Sequence, residues 1–139
     1  MATESAFVFD DSYLAVADLS SSQFYVIAST AKNTAAICTA SSGSITVTGR
    51  ALGILQNAPT SGHAAQVRLL GRSKAVASST ASISFGAFVA ATTAGTLTTA
   101  TTGMWVLGTA RSASTGASGQ LIEVDLFGPF QYMSAGATA

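Results

Sequence analysis

Short runs in which every second residue is apolar constrain the fold of this chain more than any other feature. Such runs lie at residues 45–47, 66–76, 83–89, 104–110 and 122–126. An apolar period of two is typical of strands that pack one face on a core, whereas an amphipathic helix has a period of about 3.6 residues. Clusters of Gly, Ser and Thr separate the runs, as expected for short strands joined by turns. The pattern predicts an all-β chain, folded as a small barrel or a sandwich.

The two ends of the chain differ from its middle, which predicts a division into three parts. Residues 1–31 carry four acidic groups and no basic one, and most aromatic residues lie close to one end or the other. We therefore expect an extended N-terminal arm over residues 1–22, a β domain over 23–130 and a C-terminal tail over 131–139.

The predicted arm carries the first candidates for contact with another protein. Aromatic side chains are enriched at the cores of protein interfaces, so we expect Phe7, Phe9 and Tyr13 to dock on a neighbouring protein. Two alternatives stay open for this segment. One is an ordinary first strand packed on its own domain, and the other is a short helix over residues 11–19, capped by Asp11 or Ser12.

Charge is scarce in this chain, and the scarcity excludes several classes of partner. Only 9% of the 139 residues are charged, and six basic residues balance six acidic ones. No net field therefore attracts nucleic acid or an anionic membrane, and no apolar run has the length of a membrane-spanning helix. The first residues do not resemble a signal peptide, which favours synthesis in a cytoplasm. A neutral chain is poorly soluble as a monomer, so we expect much of the surface to face other protein.

Groups that could perform catalysis are few, and the sequence predicts no enzyme, no cofactor and no small-molecule substrate. His63 is the only histidine and follows a turn-like stretch, where a solvated loop position is expected. Cys38 is the only cysteine, which excludes an intrachain disulfide and is typical of a small buried side chain. The chain lacks the set of four ligands of a structural zinc site, and it contains neither a phosphate-binding glycine motif nor a Gly-x-Ser-x-Gly motif.

Basic residues form a stripe on one predicted strand. Alternation places Arg68, Arg72 and Lys74 on one face of that strand, and it directs Glu123 and Asp125 outward from another. If the two strands are neighbours, Arg68 or Arg72 can pair with Glu123 or Asp125, within one chain or across subunits. We take all five residues as candidates for pairing between subunits, and a solvated outer face is the alternative interpretation.

A weak internal repeat links the middle of the chain to its end. The first copy consists of Leu52-Gly53, a turn-rich stretch and the segment from Val67 to Gly71. The second copy consists of Leu107-Gly108, another turn-rich stretch and the segment from Val124 to Gly128. Each copy is predicted to be a strand, a flexible loop and a returning strand. The repeat therefore predicts two similar hairpins.

Part of this pattern resembles a known family. The run Gly49-Arg50-Ala51-Leu52-Gly53-Ile54-Leu55-Gln56-Asn57-Ala58-Pro59 leads into Gly62, Ala65 and Val67, and the later segment continues with Gly86-x-x-Val89, Val106-x-Gly108-x-Ala110 and Ile122-x-Val124-x-Leu126. These motifs, spread over residues 45–128, resemble the decoration or cement proteins of tailed-bacteriophage capsids.

The resemblance implies a fold, a place and a mode of action. It implies a compact β-barrel or β-tulip-like domain that binds as a homotrimer to the outside of an icosahedral head and clamps neighbouring major capsid protein subunits, often through an N-terminal arm. The loop at residues 60–63 is less charged than is common in the family, and the segments before residue 25 and after residue 130 have no matching counterpart.

Two other functions stay open at this point. One is a different structural component of the virion, such as a head fibre or a tail tube. The other is a carbohydrate-binding β module, which would expose an aromatic platform. Trp105 is the only tryptophan, and it shares a predicted strand face with Leu107, so we expect a buried anchor there.

Overall fold

The computed structural model describes residues 7–39, 50–80 and 82–131, and every regular element within these ranges is a β-strand. The all-β prediction is therefore confirmed. The strands are β1 (Phe9–Ala15), β2 (Val26–Ala28), β3 (Thr34–Ile37), β4 (Ala51–Leu55), β5 (Ala64–Val76), β6 (Phe88–Ala91), β7 (Leu97–Thr99), β8 (Trp105–Ala110) and β9 (Leu121–Gln131). The predicted run at residues 45–47 lies outside the described residues. None of the described residues belongs to a helix long and apolar enough to cross a membrane.

The first five strands form a closed barrel. Their order is β1-β3-β2-β4-β5, and β1 closes the ring because it pairs with β3 on one side and with the first half of β5 on the other. Alternate side chains of these strands point inward, where Ile27, Leu55 and Val67 are fully buried. Burial of apolar side chains of this size stabilises the barrel by about 1.5–3 kcal/mol each.

The second half of β5 begins another five-stranded unit. The order here is β5-β9-β8-β6-β7, and a single parallel bridge between Ala77 and Leu97 joins its two edges. Gly71 marks the change from the first unit to the second and has a φ of 94°, a conformation that favours glycine. We call the barrel up to Leu70 the first repeat and the unit from Gly71 onward the second repeat.

The two repeats have the same strand order and the same register. In the first repeat Ile27 lies opposite Ile37 and Gly53, and in the second Val89 lies opposite Thr99 and Gly108. The bulges between β2 and β4 and between β6 and β8 also fall at the same place. The two similar hairpins predicted from the sequence, β4-β5 and β8-β9, are thus confirmed, and the repeat extends to all five strands.

Two glycines at equivalent positions allow the strands to pack closely. A Cβ on Gly53 would lie 2.1 Å from the carbonyl oxygen of Arg68, and a Cβ on Gly108 would lie 1.9 Å from that of Asp125. Such distances are far below van der Waals contact, so both positions require a residue without a side chain. The sequence motif Leu-Gly of each copy therefore has a packing reason.

The second repeat packs over one outer face of the first. The main buried cluster joins Val26, Ala28 and Ile54, which point away from the interior of the first barrel, to inward-facing residues of the second repeat such as Val89 and Leu97. The interior of the first barrel forms a separate cluster. The two repeats therefore share a core and make one structural unit.

The structure changes two boundaries expected from the sequence. The barrel begins at Phe9 and not at residue 23, because β1 supplies hydrogen-bonded edges to β3 and β5 and places Ala15 in the core. Residues 1–6 of the predicted arm and residues 132–139 of the predicted tail lie outside the described residues. The run at residues 83–89 is strand only from Phe88, since Gly86 has a φ of 79° and Phe85 is exposed in a turn.

Candidate interaction surfaces

The three aromatic residues expected to contact a neighbouring protein do not share one environment. Phe7 and Phe9 are exposed, at 77% and 47% of their accessible area, and are available for such a contact. Tyr13 packs against the interior cluster of the first barrel instead. Its burial, together with the nearby Asp11 carboxylate, raises the pKa of its phenol above the usual value. Tyr13 therefore belongs with the barrel interior, and Phe7 and Phe9 remain as surface residues.

Arg68 forms an ion pair within the first repeat that the sequence did not indicate. Its Nε and Nη2 atoms donate to the two carboxylate oxygens of Asp10, at 2.7 and 3.0 Å, and Nη1 donates to the carbonyl oxygen of Arg72. About a fifth of each side chain in the pair is accessible. The hydrogen bonds to Asp10 raise the pKa of the guanidinium further, so the arginine stays charged. Sequence reasoning missed Asp10 as the partner, because the pairing of β1 with β5 was not predicted.

Asp125 occupies the equivalent place in the second repeat and lies between two arginines. Its carboxylate oxygens are 3.3 Å from Arg72 Nε and 3.2 Å from Arg111 Nε. One of the expected pairings, Arg72 with Asp125, is thus present within a single chain. Lys74 and Glu123 lie opposite each other in the β5-β9 ladder, and both are exposed. The acid and the base have exchanged places between the repeats, since Asp10 matches Arg72 and Arg68 matches Asp125.

The two ion pairs differ in burial, which leads to a prediction about their contributions. A double-mutant cycle with Asp10→Asn and Arg68→Gln is expected to give a coupling of about 1–2 kcal/mol, because the pair is bidentate and mostly buried. The matched cycle with Arg72→Gln and Asp125→Asn serves as the control and is expected to give less than about 0.5 kcal/mol, since that pair is exposed. Urea unfolding of the single and double variants measures both values. Equal couplings would contradict the prediction.

Three exposed phenylalanines form a cluster on the second repeat. The Phe88 ring meets the Phe127 and Phe130 rings edge-on, at centroid distances of 6.4 and 5.7 Å, and the latter two rings stack at 5.7 Å. Each of the three keeps at least 40% of its accessible area. Exposed apolar side chains in contact with one another are typical of binding surfaces. The sequence places Phe127 and Phe130 among the aromatic residues close to the end of the chain, but it does not show that they meet Phe88 of another strand.

Trp105 was expected to be a buried anchor, but it is only half-buried. The Arg50 guanidinium lies 5.1 Å above the centroid of its ring. Arg50 directly precedes β4, and Trp105 is the first residue of β8. This cation–π pair therefore joins matching places in the two repeats. The contact covers part of the ring that a sugar-binding platform would have to expose.

The residues that the structure describes form no candidate metal site. Among the residues that the structure describes, no cluster of three or more His, Cys, Asp or Glu side chains could hold a metal ion. Cys38 is buried. His63 is exposed, and its Nδ1 atom lies 2.9 Å from the Thr60 hydroxyl oxygen. The distinctive surfaces of the described chain are thus apolar patches and ion pairs.

The chain matches known proteins in fold but not in sequence. No protein-family model matches the chain, and no curated protein matches it in sequence. Among solved structures, the chain is similar to the N base of the head fibre protein gp8.5 of bacteriophage phi29, with a TM-score of 0.56 and 15% sequence identity. The match covers 91% of this chain and 100% of that one. At this identity the likeness establishes the fold.

Proposed function

We propose that this chain is a structural protein of a bacteriophage particle, bound to the outside of the head. The observation that carries the proposal is the match in fold to a head-fibre base, which covers 91% of this chain and 100% of the base. The exposed phenylalanines and the scarcity of charge suit a protein whose role is contact with other protein. We propose a contact function in place of catalysis, with no cofactor, nucleic acid or membrane involved.

The form of this role that we propose is capsid decoration by a homotrimer. Each trimer clamps neighbouring major capsid protein subunits, and the exposed Phe7 and Phe9 supply apolar anchors for that contact. A protein that binds the assembled shell but not its separated subunits stabilises the shell by mass action. Many copies that each span two or more subunits multiply the effect.

Binding to purified heads tests this role. The wild-type protein is added to heads of the encoding phage that lack this chain, and it is expected to sediment with them. The Phe7→Ser/Phe9→Ser variant is expected to bind the heads at least about tenfold more weakly. Leu121→Ser is the matched control, because Leu121 and Phe9 have the same exposed fraction of 47%. Association with tails and not with heads would overturn the proposed location. Equal binding by the double variant would overturn the role of Phe7 and Phe9.

A head-fibre base is the second candidate, and the same match in fold favours it. The neighbour is described as the base of a head fibre, and a base of this kind would carry further fibre density outward from the head. Cryo-electron microscopy of native particles separates the two candidates. Density that ends at the two repeats is expected for a decoration protein. Density that continues outward as a fibre would contradict decoration and support a head-fibre base.

A further inference from the structure

The junction between the two repeats is built from one surface on each. Val26 N donates to the carbonyl oxygen of Gly95 at 2.7 Å, and Val76 N donates to that of Phe24 at 3.0 Å. Tyr25 lines a cavity together with Val76 and further residues of the second repeat. The first repeat thus contributes the segment from Phe24 to Val26. The second contributes the end of β5 and the loop before β7.

Each of these surfaces has an equivalent on the other repeat, because the registers of the two repeats agree. The segment Phe24–Val26 corresponds to Gly86–Phe88, and both segments begin with a residue at positive φ. The residues Val76, Ser78 and Gly95 correspond to Leu14, Val16 and Asn33, respectively. We call the Gly86–Phe88 segment the distal face and the Leu14, Val16 and Asn33 group the proximal face.

The equivalents are exposed where the junction residues are covered. Val26 is fully buried, whereas Phe88 keeps 42% of its area. Ser78 is 6% exposed, whereas its match Val16 is 48% exposed. Gly95 is buried and Asn33 is exposed. The chain therefore carries one completed junction and two exposed surfaces that correspond to its halves, both of them with exposed apolar side chains. Leu14 N, unlike its match Val76 N, donates within its own repeat, to the carbonyl oxygen of Asn33 at 2.8 Å, so that hydrogen bond of the junction is not repeated between copies.

The two exposed halves do not close on each other within the chain. A two-fold relation between the repeats would place the Asn33 loop on Phe88 in the same way as the Gly95 loop lies on Val26, and would bury both. Since Asn33 and Phe88 are exposed, the relation between the repeats is not a closed two-fold. A cyclic trimer also needs an interface of this head-to-tail kind, because only a dimer can be built from a face that binds itself.

We propose that copies of this chain associate head to tail, with the distal face of one copy receiving the proximal face of the next. The proposal takes from the proposed function only the number of copies, three, and the contact itself is independent of any capsid. Side-chain size agrees with this arrangement. A Cβ at Gly95 would come within 2.7 Å of the Ile37 side chain, and Ile37 corresponds to the shorter Thr99, which leaves more room for the side chain of Asn33.

Disulfide formation between two different variants tests the contact. The junction atoms Val26 N and Gly95 O are 2.7 Å apart, so cysteines at the matching positions 88 and 33 of two copies are within reach of a disulfide. A tagged Phe88→Cys chain is mixed with an untagged Asn33→Cys chain, both carrying Cys38→Ala, the residue found at the matching position Ala100. Ser118→Cys is the control partner, because Ser118, like Asn33, is exposed but lies outside both faces.

The expected result is a mixed disulfide between positions 88 and 33 that forms at least about tenfold faster than that between 88 and 118. Equal rates, or no mixed disulfide, would overturn the head-to-tail contact. The untreated wild-type protein is expected to have three times the 13.9 kDa chain mass by light scattering, and a single chain mass at millimolar concentration would overturn it as well. A wild-type mass above that of three chains, together with a fast disulfide between positions 88 and 33, would support the contact and contradict the trimer, so the two ideas fail separately.

Discussion

Gly53→Ala and Gly108→Ala are each expected to destabilise the protein by about 4 kcal/mol, enough to lower the midpoint of thermal unfolding by roughly 10–20 °C. The added methyl group would lie about 2 Å from a backbone carbonyl oxygen, at Arg68 in one case and Asp125 in the other. Backbone atoms cannot rotate away as a long side chain can, so the hairpin must separate to admit the methyl group. Differential scanning calorimetry of the two variants measures the loss.

The control for this prediction is a glycine that is unusual for a different reason. Gly119→Ala introduces a methyl group at a φ of 71° but meets no other atom within 4 Å. Its expected cost is the strain of a left-handed conformation alone, about 1–2 kcal/mol. A loss below about 1 kcal/mol at Gly53 or Gly108 would show that the hairpins accept a side chain there. It would also remove the packing reason for the repeated Leu-Gly motif.

A chain that begins at Ala17 is expected not to form the first barrel. Without β1, the edges of β3 and β5 lose their hydrogen-bond partners, and Val67 and the rest of the interior cluster become accessible to water. The expected result is loss of cooperative unfolding by circular dichroism, together with aggregation. A chain that begins at Phe7 is the control and is expected to unfold as the full-length protein does.

Complementation keeps this second prediction testable when the short chain aggregates. A synthetic peptide of residues 7–16, added during refolding, is expected to restore a cooperative transition, because it supplies the missing strand. A peptide with Asp10→Asn is expected to restore it less well, since it loses the carboxylate that pairs with Arg68. Cooperative unfolding of the chain that begins at Ala17, without any peptide, would mean that residues 9–15 are dispensable, as an arm would be.

The strands with regular alternation were predictable from the sequence. β5 extends over Ala64–Val76 and directs Arg72 and Lys74 outward and Ser73 and Ala75 inward, as a period of two requires. The run at residues 83–89 misled because alternation alone does not distinguish a strand from a turn with an exposed Phe85. Alternation also did not decide between a barrel and a sandwich, since closure of the barrel depends on the pairing of β1 with strands that lie far along the chain.

The candidate surfaces were predictable only where the strands that carry them were identified from the sequence. The pair of Arg72 with Asp125 was one of several pairings that the sequence left open, because both strands were identified. Asp10 was assigned to an arm, so its bond with Arg68 could not be foreseen. The full repeat was also hidden, because β3 and β7 share register but hardly any residues, TAAI against LTT. The resemblance to decoration proteins predicted a β-barrel, which is confirmed, and membership of that family stays a prediction.

The sharing of β5 between the repeats also orders events during synthesis. β1 leaves the ribosome first, yet its two neighbours, β3 and β5, are made later, so the first ring cannot close until β5 has emerged. The same strand then offers its second half as the first edge of the following ring. Completion of one ring therefore coincides with the start of the next. At each moment of translation, only one ring is incomplete, which limits the unpaired strand edge exposed to other nascent chains.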